Sequence, residues 1–137
     1  MKNRNTNSSL SAIMKNIESK FVGSGVSFSQ ELFNQIDAKD MTDIEVYKRA
    51  HIDRKLFSKI RRKQHLPNKK TIIALALALK LEYSEAVFLL NLAGFSLSIS
   101  PSMPFDIIIA NAIKNKMYDI DSVNELLYHY DLPLLGE

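Results

Sequence analysis

The sequence predicts an all-α protein, on three observations. Apolar residues recur at helical spacing in segment after segment, residues with good capping side chains head those segments, and no run reads convincingly as a strand. The one alternating stretch, residues 74–79, is alanine and leucine behind a cap; both are strong helix formers, so it reads as a buried helix. At 137 residues, 46% hydrophobic and 24% charged, the chain has material for one well-buried domain with an appended arm, outside the disordered and fibrous classes. The absence of cysteine excludes disulfides, thiolate metal sites and cysteine nucleophiles, and it suits a reducing cytoplasm, the expected compartment. The most apolar run, 71–79, is far short of the roughly 20 residues that span a bilayer, and residues 1–9 lack the apolar stretch of a signal peptide. No membrane partner is expected.

Leu10, Ile13, Met14, Ile17 and Phe21 form the first stripe, with Ser8 or Ser9 as cap and an end near Lys20, before Gly23-Ser24-Gly25 breaks the helix. Such an arm needs a cover, from the rest of the domain or from a second copy. Phe28, Leu32, Phe33 and Ile36 mark the next helix, capped by Ser27 or Ser29. Thr42 and Glu45 make a capping box for a short helix reaching about Ala50, and Asp53 caps another running toward Gln64. Pro67-Asn68 introduces a helix over 69–81; Ser84 starts the next, and Gly94 stops it as a glycine just past a helix end does. Pro104 opens a helix with Phe105, Ile108, Ile109, Ala112 and Ile113, ending near Lys116. Asp121 caps a last one, with Val123, Leu126, Leu127 and Tyr130, before Pro133.

The net charge of +3 hides an uneven distribution. Residues 48–70 carry ten basic side chains against one acid, Asp53, while residues 1–47 sum to −1 and residues 71–137 to −5. Like charges crowded into one block repel, and a polyanion relieves that repulsion by displacing condensed counterions. The alternative is a solvated lysine-rich face.

Two short helices joined by a turn of about three residues, the second densely basic, is the arrangement that presents a helix to the major groove. The run Met41-Thr42-Asp43-Ile44-Glu45-Val46-Tyr47-Lys48-Arg49-Ala50-His51-Ile52-Asp53-Arg54-Lys55-Leu56-Phe57-Ser58-Lys59-Ile60 resembles, without a gap, the helix-turn-helix of the Cro/C1-type family, also called XRE or lambda-repressor-like. Pro67-Asn68 with its apolar helix and the Ser84-led helix resemble that family's fourth and fifth helices. The resemblance covers about 27–94. It implies a five-helix domain over 27–100, flanked by an N-terminal helical arm and linker (1–26) and a two-helix C-terminal extension (101–137).

In that family the third helix reads bases and the start of the second touches phosphate. Carried over by position, Arg54, Lys55 and Lys59 face base edges, and Thr42 faces phosphate. Helix geometry agrees for the third helix: at about 100° per residue, Leu56, Phe57 and Ile60 lie on one side and Arg54, Lys55, Ser58 and Arg62 on the other, with Lys59 and Arg61 flanking. Arginine and lysine suit guanine O6 and N7. Arg61, Arg62, Lys63, Lys69 and Lys70 are placed at phosphates. Three positions depart from the pattern: Tyr47 where the family has a small alanine, His51 where it has glycine, and Asp43 where it commonly has glutamine. Tyr47 calls for the helices to move apart or for the ring to turn outward, and His51 calls for a left-handed backbone.

No enzyme is expected. His51, His65 and His129 share no ligand spacing, no triad or phosphate loop is legible, and no cofactor is implied. The expected function is a sequence-specific DNA-binding transcriptional regulator, repressor-like, acting as a homodimer on double-stranded DNA, with the C-terminal helices as dimer contact or protein-partner surface. The other open class is a non-enzymatic interaction module that turns its basic face to an acidic protein or to RNA.

Overall fold

The computed structural model describes residues 2–18 and 27–136, with side chains from residue 9 onward. These residues form eight helices and no strand: α1 (Lys2–Glu18), α2 (Phe28–Ala38), α3 (Asp43–Arg49), α4 (Arg54–Arg61), α5 (Lys69–Ala78), α6 (Tyr83–Leu92), α7 (Pro104–Lys114) and α8 (Ile120–His129). The architecture is all-α, as the periodicity requires.

α5 is the centre. Every side chain from Ile72 to Ala78 is buried, and so are Leu79 and Leu81 beyond its end. A helix that is apolar all round must be surrounded, and α3, α6 and α8 all pack on it. Its start is fixed by Asn68, whose side chain accepts from Thr71 N–H at 2.9 Å. The neighbouring Lys69 Nζ donates to both oxygens of Asp106, at 2.7 and 2.9 Å, and Asp106 is 1% exposed. Asp106 also accepts from the backbone N–H of Ser98 at 2.8 Å. A buried carboxylate held by a cation and one backbone N–H is satisfied, and this one ties α7 to the head of α5.

The expected caps are partly corrected. Ser27 caps α2, and Ser29 instead lies buried, its hydroxyl donating to Ile60 C=O at 3.3 Å. The Thr42–Glu45 capping box and the Asp53 and Asn68 caps form as expected. α6 begins one residue before Ser84, on a Glu82–Glu85 box, and α8 is capped by Asp119, not Asp121, through Ser122 N–H at 3.0 Å. α1 starts at Lys2, ahead of Ser8 and Ser9, since no proline or glycine interrupts residues 2–9. It ends at Glu18; Lys20, Phe21 and the glycine linker lie outside the described residues.

The helix ends obey one rule. From α2 to α8, a residue with positive φ follows the C-cap, and its neighbour donates an N–H back five residues: Met41 to Ile36, Ile52 to Tyr47, Gln64 to Lys59, Leu81 to Ala76, Phe95 to Leu90, Met117 to Ala112 and Leu132 to Leu127, all within 2.8–3.2 Å. Only Gly94 supplies glycine at the left-handed position; Asp40, His51, Lys63, Lys80, Lys116 and Asp131 hold it with φ between 53° and 58°. That shortens α4, α5 and α7 relative to the ends expected at Gln64, Leu81 and Lys116. The residue after the left-handed one is apolar at six of the seven ends, so those six stops also pack an anchor against the core.

The residues after Gly94 are not a loose appendage. Tyr118 Oη donates to Leu81 C=O at 3.0 Å, and burial, with Glu82 and Glu85 nearby, raises its phenol pKa. After α8 the chain turns back: Asn124 brackets Leu135, accepting from its N–H at 2.8 Å and donating to its C=O at 3.1 Å, and Leu135 is 2% exposed.

Left-handed lysine and aspartate cost free energy that glycine avoids. Lys116→Gly and Asp40→Gly are each expected to stabilise the fold by about 0.5–1 kcal/mol and to add in combination, read by urea unfolding. Unchanged or lowered midpoints would show that these ends are not held left-handed.

Candidate nucleic-acid interface

The basic face is built on α3, the turn at residues 50–53, and α4. Thr42 accepts from Glu45 N–H at 3.2 Å while Glu45 Oε1 accepts from Thr42 N–H at 3.3 Å, so the first turn of α3 is closed. At its other end Ala50 is fully buried and His51 takes φ 55°, the left-handed conformation expected from its place in the turn. Asp53 then caps α4 through Lys55 N–H at 3.4 Å.

α4 divides as its spacing predicts. Phe57 is 3% exposed and Ile60 fully buried, while Arg54, Lys55 and Lys59 are exposed and Ser58 is half-buried. Phe57 is gripped between two rings: Phe33 meets it edge-on with centroids 6.0 Å apart, and Tyr47 lies tilted at 5.7 Å. Tyr47 therefore does not turn out to solvent; it is half-buried as a wall of the Phe57 site. Ser29 holds the C-terminal end of α4 through the Ile60 carbonyl. The helix is oriented from beneath by Phe57 and Ile60, from one side by Tyr47 and at its end by Ser29.

Two of the cations placed at phosphates have partners within the protein. Arg61 makes a bidentate pair with Asp43, Nε to Oδ2 at 2.9 Å and NH2 to Oδ1 at 2.8 Å, and its guanidinium lies 4.2 Å from the centre of the Phe33 ring. Asp43 is thereby neutralised where its carboxylate would otherwise repel a polyanion, and the pair staples the start of α3 to the end of α4. Lys69 is held by Asp106. Arg62 and Lys63 are exposed, Lys70 is half-buried, and none of the three forms an ion pair among the described residues. Thr42 is exposed, with its hydroxyl engaged by Glu45.

The arrangement thus brings Arg54, Lys55 and Lys59 onto one exposed face, continues it with Arg62 and Lys63 at the end of α4, and withdraws Arg61 and Lys69. The withdrawal of Lys69 was illegible because Asp106 stands 37 residues away. Asp43, 18 residues before Arg61, carried a signal only in its charge. Among the described residues no group of His, Asp and Glu is placed to hold a metal ion, and no helix is long and apolar enough to cross a membrane.

Compared with known proteins, the chain matches no family model, no curated protein and no solved structure at a significant level.

Phe57→Ala removes the side chain that seats α4 and is expected to cost about 3–5 kcal/mol, as large core truncations do. Thermal unfolding checks it: an unshifted midpoint would mean that α4 is not held through this ring.

Proposed function

We propose that the protein is a sequence-specific DNA-binding transcriptional regulator with a Cro/C1-type helix-turn-helix, formed by α3 and α4 within the five helices α2–α6. The observation that carries this reading is the segregation on α4: exposed Arg54, Lys55 and Lys59 directly above buried Phe57 and Ile60. A helix held rigidly by its apolar side offers its polar side to base edges in fixed register. The departures from the family pattern are supported locally, since Tyr47 packs on Phe57, His51 takes the left-handed turn, and Asp43 is paired by Arg61.

In this reading Arg54 and Lys55, in the first turn of α4, contact base edges, Lys59 and Ser58 extend the contact by one turn, and Arg62, Lys63 and Lys70 hold phosphates. Two copies on two half-sites would present two such helices about one helical turn of DNA apart.

The test is a binding titration of labelled duplex at about 150 mM salt, with selected and random sequences compared. Arg54→Ala and Lys55→Ala are expected to lose discrimination at about 1–3 kcal/mol each, whereas Arg62→Ala and Lys63→Ala weaken both duplexes about equally and lower the salt slope. Equal losses from all four would remove the base-reading assignment, and a chain that binds acidic protein or RNA but not duplex would replace it with the interaction-module reading.

Asp43→Asn provides a second check. It releases Arg61 from a half-exposed pair, so stability is expected to fall by no more than about 1 kcal/mol. Duplex affinity should rise and the salt dependence steepen, because one more guanidinium meets the backbone. Unchanged salt dependence would place Arg61 away from the nucleic acid.

A further inference from the structure

Two apolar surfaces are left open. On α1, Leu10, Ile13, Met14 and Ile17 are 42–57% exposed, and every described side chain of that helix, residues 9–18, faces solvent. Between α7 and α8 lies a groove of about 400 Å³ lined by Pro104, Ile107, Ile108, Asn111, Leu126 and Tyr130, without a charged side chain among them.

The two surfaces match in pattern and in charge. The α1 stripe is spaced i, i+3, i+4, i+7, and α7 presents Pro104, Ile107, Ile108 and Asn111 at that same spacing, so each row runs about 10 Å along its helix. One such row seats beside another as helix packs on helix. Leu126 of α8 and Tyr130, its C-cap, form the far wall. The sequence of α1 carries three basic residues against one acid, whereas residues 101–137 carry two basic residues against six acids, among them exposed Glu125 and Asp131, next in sequence to Leu126 and Tyr130 of the groove. A basic arm with an apolar stripe therefore matches an apolar groove set in an acidic segment of the chain.

We propose that α1 of one copy seats in the α7–α8 groove of a second copy and receives the partner's arm in return. The exchange is a two-fold contact made twice, so a single arrangement covers both stripes and both grooves and closes at a dimer. The chain's own arm leaves its stripe uncovered in this structure, which is what an exchanged element looks like in one isolated copy. The inference rests on the homodimer invoked for half-site binding and specifies how that homodimer is made.

Analytical ultracentrifugation of the full chain at tens of micromolar tests it. The unmodified protein is expected to sediment as a dimer. Ile13→Asp in the arm, and separately Asn111→Arg with Tyr130→Arg in the groove, should each give a monomer; all three positions are exposed, and circular dichroism melting confirms that the fold persists. The decisive measurement mixes the two variants in equal amounts. A mixed pair retains one wild-type arm in one wild-type groove, so dimers reappear at concentrations where each variant alone is monomeric. A monomeric unmodified chain, a dimer that survives either variant, or a mixture that stays monomeric would each overturn the exchange. Arm pairing with arm would spare the groove variant, and an arm docked in its own groove would leave the mixture monomeric. Duplex binding is read separately, so failure to bind DNA with dimer exchange intact would indict only the functional reading.

Discussion

Everything in this fold answers to α5. A ten-residue helix with no polar side chain from Ile72 to Ala78 has no face to give to water, so the chain must wrap it completely. The alanines at 74, 76 and 78 keep it thin enough for α3, α6 and α8 to approach. The C-terminal extension is part of that wrapping, because α8 packs on α5 and Leu135 enters the same core. Of the two lysines at its head, Lys69 is matched by a carboxylate from α7. Burial of one helix thus dictates the position of elements more than thirty residues away.

α4 is placed at second hand. It packs against α3 and sends Phe57 and Ile60 into the core, but its direction is set by the turn that follows α3. There a histidine sits at φ 55°, at a cost of roughly 1–2 kcal/mol for a residue with a Cβ. What offsets that cost is visible nearby: Ile52 packs against the core after the turn, its N–H bonding Tyr47 C=O at 2.9 Å, and Asp53 caps the next helix. The Asp43–Arg61 pair then joins the outer ends of the two helices. A partly exposed pair contributes little to stability, and its larger effect is geometric, since a planar fork on a carboxylate fixes direction as well as distance.

The helical class, the Thr42, Asp53 and Asn68 caps and the inward side of α4 were legible because they depend on residues within a turn of one another. What was not legible depends on distance in sequence or on a choice between near-equal local options. Asp119 and Asp121 are both good caps, and the register of Ile120 and Val123 against the core decides between them. The left-handed stops at Asp40, Lys63, Lys80, Lys116 and Asp131 have no glycine to announce them; their signal is the apolar residue that follows most of them and needs the core. Tyr130 shares the helical spacing of Val123 and Leu127, yet it is 59% exposed because α8 rolls its buried side toward α5 and leaves the other edge on the groove. Periodicity finds the stripe; the neighbour decides how much of it is covered.

The last few residues join the two halves of this picture. Leu135 is drawn into the core by its own side chain and by the two hydrogen bonds from Asn124, and this brings Gly136 against the turn between α3 and α4. A Cβ on Gly136 would stand 3.7 Å from the Cβ of His51, the residue whose left-handed conformation aims α4. The helix that supplies Asn124 also supplies Leu126, and with its C-cap Tyr130, to the apolar groove. One side of α8 thus holds the last residues of the fold, which lie beside the turn before α4, while another side lines the groove.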